Sequence, residues 1–245
     1  WKTDAINQFY PWFIYEGDFL RSIINGIFTF NSIPLWDWNQ AYVVDKYIYL
    51  FNFIGNPFNL ISAFSNVDNC EFLYFISLLL TLYASGIVTL KCCLFMKFNR
   101  DASLIAALSY TFCGHAFLFF SCTLLVYQLF LGPILLFGGE KIIRKGSYKI
   151  FFVAVLLCFL WQIPYAFQNA LLFALYFIIR SIFLTEKNKW KKFINRFIRI
   201  LTYTSIALAL ASFIVIPQFL ALASQGRISR DRPLPFFYDM SVSTG

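Results

Sequence analysis

The chain has 245 residues, of which 60% are hydrophobic and only 13% are charged, and its mean hydropathy is +0.67. Soluble domains are typically about 45–50% apolar and about 25% charged. This composition therefore excludes a soluble globular protein and indicates an integral membrane protein. The formal net charge of +8 does not predict a nucleic-acid partner, because the basic residues are expected to be dispersed along one face of the membrane. The sequence does not begin with Met, and we expect it to be a fragment of a longer protein.

Residues 1–71 form the first predicted unit, a loop outside the membrane core. They contain seven acidic and three basic residues. The apolar stretch FLRSIINGIFTF at residues 19–30 is shorter than the roughly 20 residues that cross a bilayer, so it predicts a helix lying in the interface. Trp36 and Trp38 favour the level of the lipid headgroups. Together these features predict a membrane-hugging layer of short helices.

Residues 72–223 form the second predicted unit, a transmembrane helix bundle. A hydrocarbon core about 30 Å thick needs roughly 20 apolar residues in one helix. Pro164 interrupts the apolar stretch at residues 147–183, and a helical hairpin is expected to turn there, since proline cannot donate a backbone hydrogen bond. The predicted fold is all-α, with about six spans. The predicted spans are residues 72–95, 102–120, 122–137, 148–162, 166–183 and 197–223.

Clusters of basic residues predict the orientation of the bundle. Cytoplasmic loops are rich in Lys and Arg, and the predicted spans place three basic groups on one side of the membrane. We expect that side to be the cytoplasm, so residues 1–71 and a third unit, residues 224–245, are expected outside. The groups are Lys91, Lys97 and Arg100; Lys141, Arg144, Lys145 and Lys149; and Arg180, Lys187, Lys189, Lys191, Lys192, Arg196 and Arg199.

Asp4 is the first candidate for chemistry among the carboxylates. Asp4 and Gln8 are four residues apart, so a helix would put both on one face. Asp4 could be only the N-cap of that helix, or it could act as a general base or metal ligand in an external groove. Asp18, Asp37 and Asp45 are weaker candidates, and each could be an ordinary solvated acid.

Polar residues in or beside the spans are further candidates. His115 lies in an apolar stretch, where a histidine is usually satisfied in the protein interior but can also act directly. Asn169, beside the Pro164 turn, could bond a neighbouring helix or line an external cavity. Arg227 and Arg230 could lie in a solvated loop or bind an anionic lipid headgroup. The six cysteines lack CxxC spacing and there is one histidine, so no metal site is predicted.

Several short motifs occur in an order that resembles the YfhO family of bacterial polytopic membrane proteins. They are DAINQFY at residues 4–10, PLWDWN at 34–39, NPFNLI at 56–61, ALSYTFCG at 107–114 and GPILLFGGEK at 132–141. The resemblance covers nearly the whole chain and implies a GT-C-like fold in the bacterial plasma membrane. It also implies a glycosyltransferase that takes a sugar from a polyprenyl-phosphate carrier. The acceptor would be a cell-envelope polymer, such as a teichoic acid, or a lipid on the outer membrane face.

By motif position, the resemblance assigns the acceptor-activating carboxylate to Asp4. We expect the lipid phosphate near Gln8, Arg227, Arg230 and Asn169, with no cofactor beyond the lipid-linked sugar itself. The expected partners are membrane lipid, the lipid-linked sugar and the envelope acceptor. An alternative is a non-enzymatic transporter or flippase subunit for envelope polysaccharide or lipid, since transporters carry ionisable groups and broken helices at mid-membrane. The carboxylates cluster ahead of the spans instead, which favours the enzyme.

Overall fold

The computed structural model describes residues 8–29, 36–37, 44–45, 55–120, 122–161, 163–183 and 189–224. This part of the chain is helical apart from one two-residue antiparallel pairing, so the predicted all-α class is confirmed. The helices are α1 (Tyr10–Thr29), a 3-10 helix (Asn59–Phe64), α2 (Cys70–Phe95), α3 (Arg100–Thr111), α4 (Gly114–Leu118), α5 (Thr123–Val126), α6 (Gln128–Lys145), α7 (Lys149–Trp161), α8 (Ile163–Phe183) and α9 (Lys189–Ser224). The paired strands are β1 (Trp36–Asp37) and β2 (Val44–Asp45).

Helix α1 extends the predicted interfacial helix towards the N-terminus. The sequence predicts that helix at residues 19–30, whereas α1 begins at Tyr10 and is 20 residues long. Its first half is packed into the protein, with Phe13 and Phe19 only 2% and 1% exposed. Its last turn exposes Phe28, which suits a helix end in contact with lipid. The expected layer of short helices is therefore one longer helix and one 3-10 helix among the residues described before α2.

Two of the described helices are long and apolar enough to cross a membrane. They are Cys70–Phe95, which is α2, and Trp190–Leu220, which makes up most of α9. Helix α7 is also apolar, but its 13 residues are fewer than the roughly 20 that a span needs. The predicted count of six spans is therefore not reached among the described residues, while the membrane class agrees with both long helices.

The predicted spans at residues 102–120 and 122–137 are wrong as continuous helices. Helix α3 ends at Thr111 and is followed by α4 and α5, of five and four residues. The amide of Cys113 bonds the Tyr110 carbonyl at 3.3 Å, a 3-10 contact that ends the α-helical ladder. At 1.5 Å per residue, α3 is about 18 Å long and cannot cross a bilayer core by itself.

Helix α6 contains Pro133, and a side chain of α2 replaces the hydrogen bond that this proline removes. Proline has no amide hydrogen, so the Leu129 carbonyl four residues earlier loses its helical donor. The hydroxyl of Ser85 on α2 donates to that carbonyl over 2.6 Å. This bond satisfies the freed oxygen and joins α6 to α2.

Residues 147–183 contain the predicted helical hairpin. Helices α7 and α8 end and begin on either side of residue 162, and Pro164 is the second residue of α8. Proline is tolerated there because amides in the first helical turn have no helical acceptor. Phe151 on α7 and Phe173 on α8 are equally distant in sequence from the break between the helices, and their rings lie 4.9 Å apart. The two helices therefore run antiparallel, which confirms the predicted break near Pro164.

The bundle has two chemically different ends. One end, called here the basic end, carries the described residues of the three basic groups, which the predicted spans place on one side of the membrane. The opposite end, called the amide end, is formed by α1, the 3-10 helix and the N-terminus of α2. The contacts that join the basic groups are Lys145 to the Phe95 ring, Arg144 and Arg180 to Glu140, and Arg196 to the Ile143 carbonyl.

Candidate functional site

A cluster of buried polar side chains fills the amide end. They come from α1, from the loop and 3-10 helix at residues 55–65, and from α2. Buried polar groups normally occur with hydrogen-bond partners, so a cluster of this size marks a place where the protein builds specific polar geometry. The members are Glu16, Asn56, Asn59, Ser62, Ser65 and Ser77, and each is at most 2% exposed.

Helical periodicity places Glu16 in this cluster. Phe13 and Leu20 stand three residues before and four residues after Glu16, and residues at these spacings share one face of a helix. Both apolar side chains are buried. Glu16 therefore points inward with them, at a position where the pattern would otherwise predict another apolar residue.

Asn59 lies at the centre of the hydrogen bonds in the cluster. Its Oδ1 accepts from Asn56 Nδ2 at 3.2 Å and from the Ser77 hydroxyl at 2.8 Å. Asn56 Oδ1 accepts from the Phe58 amide at 3.0 Å, which closes an Asx turn. The loop before the 3-10 helix is thereby held in one conformation and joined to α2.

Close packing between α1 and the 3-10 helix encloses the cluster. A Cβ atom on Gly17 would lie 2.0 Å from the Ser62 carbonyl oxygen, so a glycine is needed for this approach. Arg21 donates through Nη1 to the carbonyls of Ala63 and Ser65 at 2.7 and 2.9 Å. These bonds satisfy carbonyls at the end of the 3-10 helix and hold α1 against it.

The environment of Glu16 favours its neutral form. Burial raises the pKa of its carboxyl well above the usual range, and the Asn59 amide offsets this only in part. That amide approaches the carboxyl without reaching full hydrogen-bond geometry. Within the described part of the chain, Glu16 Oε1, Asn59 Nδ2 and Ser62 Oγ are buried without a hydrogen-bond partner. A neutral carboxyl both donates and accepts hydrogen bonds. The cluster can therefore act as donor or as acceptor toward a hydroxyl group.

The residues predicted for catalysis and phosphate binding are only partly placed. Asp4, Arg227 and Arg230 lie outside the described residues. Asp37 and Asp45 belong to the paired strands β1 and β2, so their backbones are neighbours.

Gln8 and Asp18 lie on the surface at the amide end. Gln8 is the first residue of the described stretch that contains α1, and its side chain is exposed. Asp18 Oδ1 pairs with Arg21 Nη2 at 2.5 Å, and its side chain is 62% exposed. Neither residue joins the buried cluster.

His115 and Asn169 both have partners inside the protein. His115 Nε2 lies 3.1 Å from the Leu125 carbonyl oxygen, which ties α4 to α5. Asn169 Nδ2 donates to Gln128 Oε1 at 3.0 Å and joins α8 to α6. These contacts agree with the structural interpretation of both residues, and a role for Asn169 at a lipid phosphate stays a prediction.

A second buried carboxylate, Glu140, organises the basic end; it lies within the GPILLFGGEK motif, but the sequence analysis does not select it as a site residue. Its Oε2 accepts from Arg144 Nε at 2.6 Å. Its Oε1 accepts from Arg180 Nε at 2.6 Å and from the Tyr176 hydroxyl at 2.5 Å. The four-residue spacing to Arg144 is visible in the sequence, whereas Arg180 and Tyr176 reach Glu140 only through the hairpin of α7 and α8.

Two apolar helices of membrane length, a polar buried end and a basic end define an α-helical membrane protein. The sequence model of the bacterial membrane protein YfhO matches residues 19–242. The chain therefore belongs to the YfhO family, which confirms the resemblance seen in its motifs. No curated protein and no solved structure matches the chain. The matched residues include Asn59 and Glu140 and begin after Asp4 and Glu16.

Proposed function

We propose that the protein is an integral membrane glycosyltransferase that transfers a sugar from a polyprenyl-phosphate carrier to a cell-envelope polymer or lipid on the outer membrane face. The observation that carries the proposal is the division of charge between the two ends of the bundle. The three basic groups share one end, which the positive-inside rule assigns to the cytoplasm. The amide end, with its carboxyl and amide groups, is then the outer face. Membership of the YfhO family supports this function.

In the proposal, the amide end supplies the polar groups that meet the sugar, and Asp4 is the base that acts there. The ring of Tyr10, at the start of α1, lies 5.3 Å from the ring of Tyr74 on α2. Asp4 precedes Tyr10 by six residues, so chain length alone keeps it within about 20 Å of this point. In the proposal, Asp4 removes the proton of the acceptor hydroxyl. Arg227 or Arg230 offsets the charge on the departing phosphate.

An apolar groove beside the amide end suits the hydrocarbon chain of the carrier. It lies between α2 and α3, has a volume of about 670 Å³, and is lined along α2 from Ile76 to Leu90. Ile76 is adjacent in sequence to Ser77 of the buried cluster. Ligand pockets of about 300–1,000 Å³ are common. In the proposal, the prenyl chain lies in this groove and its phosphate reaches the amide end.

The test compares two carboxylate variants in membranes supplied with a labelled sugar on polyprenyl phosphate. Asp4→Asn is expected to reduce transfer by about 10²–10⁴-fold, the usual contribution of a general base. Asp18→Asn is the matched control, because it removes an exposed carboxylate of α1 that pairs with Arg21 among the described residues. Near-normal transfer by Asp4→Asn at equal protein level would remove Asp4 from the mechanism. Absence of transfer by the unaltered protein from any such donor would contradict the enzyme itself.

A further inference from the structure

We propose that the basic end binds an anionic phospholipid, with its phosphate between the guanidinium groups of Arg144 and Arg180 and one acyl chain in a cavity between α7, α8 and α9. This site lies at the opposite end of the bundle from the proposed catalytic end. It does not depend on the proposed function, because its ligand is a structural lipid rather than a sugar donor.

One buried carboxylate holds both guanidinium groups in place. Arg144 Nε and Arg180 Nε each lie 2.6 Å from a different oxygen of Glu140. Each arginine thereby uses one of its five N–H donors. The Tyr176 hydroxyl also lies close to the Arg180 guanidinium, and among the described residues no other hydrogen-bond acceptor is found for either side chain. The pair therefore presents its remaining donors in a fixed arrangement, which is the geometry that recognises phosphate.

The charges at this point do not cancel within the described part of the chain. Two guanidinium groups share one carboxylate, and the arginine side chains are only 26% and 27% exposed. A partly buried positive excess is unfavourable without a counter-ion, and an anion supplies it. The positive-inside rule accounts for basic residues at this end. That rule does not explain why Glu140 is buried, nor why Arg144 and Arg180 are drawn out of solvent to pair with it.

An apolar cavity that begins within one helical turn of Arg180 points to a lipid as the anion. The cavity has a volume of about 230 Å³ and is lined by Phe173, Phe177 and Ile178 of α8 together with apolar side chains of α7 and α9. Phe177 and Ile178 lie within one helical turn of Arg180. Apolar cavities stay dry, so hydrocarbon is the natural occupant. Basic pockets between helices on the cytoplasmic side bind anionic lipid headgroups.

The first experiment measures thermal stabilisation of the purified full chain in detergent by three added probes. They are phosphatidylglycerol, phosphatidylcholine with the same acyl chains, and inorganic phosphate, and ligand-dependent stabilisation gives an apparent Kd for each. Phosphatidylglycerol is expected to bind about tenfold or more tightly than phosphatidylcholine, because hydrogen bonds to a charged group are worth that much. It is also expected to bind more tightly than inorganic phosphate. Equal binding of the two lipids, or equal binding of lipid and phosphate, overturns the proposal.

Charge variants separate a built site from a diffuse positive surface. Arg144→Gln and Arg180→Gln are each expected to weaken phosphatidylglycerol binding about tenfold or more. Lys141→Gln is the matched control: it removes one positive charge from the same helix, and its ammonium lies over the Phe137 ring rather than at Glu140. If Lys141→Gln weakens binding as much as Arg144→Gln does, general surface charge explains the result and the site is refuted.

Two further variants keep the test decisive if an arginine variant fails to fold. Glu140→Gln makes the end more positive, so a diffuse surface would bind the lipid more tightly, whereas a positioned pair would bind it less tightly. Ala174→Phe places a ring in the cavity, which Ala174 lines, without changing charge. It is expected to weaken phosphatidylglycerol binding and leave phosphate binding unchanged. Tighter lipid binding by Glu140→Gln, or unchanged lipid binding by Ala174→Phe, contradicts the proposal.

Discussion

Glu16 and Glu140 are buried to nearly the same degree at opposite ends of the bundle, 2% and 0% exposed, yet their partners have nothing in common. Glu16 faces amide and hydroxyl groups and forms no salt bridge in the described structure. Glu140 accepts three hydrogen bonds, two of them from arginine. A carboxyl between two guanidinium groups is stable in its charged form, whereas one among neutral groups is stable when protonated. Burial alone therefore says little about the charge of a carboxyl.

This difference agrees with the division of labour proposed for the two ends. The buried cluster at the amide end holds uncharged hydroxyl, amide and carboxyl groups, which can exchange hydrogen bonds without separating an ion pair. An ion pair such as Glu140–Arg180 instead fixes the relative position of α6 and α8, because separating buried charges is costly. The amide end is thus suited to exchange of ligands, and the basic end to fixed structure.

The largest expected effect comes from removing the carboxylate at the basic end. Glu140→Ala leaves Arg144 and Arg180 partly buried without their shared partner, and breaking a buried ion pair from one side costs about 3 kcal/mol. We expect a large fall in the thermal unfolding temperature of the purified protein. Lys141→Ala, one residue away, should change stability by less than about 0.5 kcal/mol. Similar unfolding temperatures for the two variants would show that the ion pairs do not hold α6 and α8 together.

Long apolar stretches were enough to predict the best-defined helices. The run that became α2 has the length and hydropathy of a span, and Pro164 marks the hairpin because proline restricts the backbone locally. The break after Thr111 could not be predicted in this way. A run of apolar residues is equally compatible with one long helix or several short ones. Here the contact between His115 and the Leu125 carbonyl accompanies the second arrangement.

The candidate site shows the same limit of sequence patterns. Motif order selects Asp4, whose role stays a prediction, and helical spacing could have found Glu16, since it shares a face with Phe13 and Leu20. Its neutral environment could not be predicted, because Asn59 is distant in the chain and reaches it only through the packing of α1 on the 3-10 helix. Sequence spacing describes one element at a time, whereas this cluster is assembled from three.

An intermediate effect is expected from filling the contact that encloses the amide end. Gly17→Ala would place a Cβ atom 2.0 Å from the Ser62 carbonyl oxygen, and overpacking of this kind costs about 1–3 kcal/mol. Gly114→Ala is the matched control, because a Cβ there meets nothing within 4 Å. Thermal unfolding of both variants measures the difference. If Gly17→Ala is as stable as Gly114→Ala, α1 does not rest against the 3-10 helix.

The smallest effect, and the sharpest test of the comparison between the glutamates, is the pH dependence contributed by Glu16. Because the pKa of Glu16 is raised in the folded protein above the ordinary 4.5, the folded state holds its proton more tightly than the unfolded state does. Stability is therefore greatest while the carboxyl is protonated in both states, and it falls as pH rises from about 4.5 towards the folded pKa. Glu16→Gln keeps the shape and removes the titration.

The unfolding temperatures of the unaltered protein and of Glu16→Gln should therefore be similar at about pH 4.5 and diverge as pH rises. At about pH 8, Glu16→Gln should be the more stable of the two. Asp18→Asn changes an exposed carboxylate of the same helix and leaves Glu16 in place, so it should retain the divergence from Glu16→Gln. Parallel curves for the unaltered protein and Glu16→Gln would mean that folding leaves the pKa of Glu16 unchanged, so that a cationic group offsets its burial. The two buried glutamates would then be alike, and the buried cluster at the amide end would no longer be uncharged.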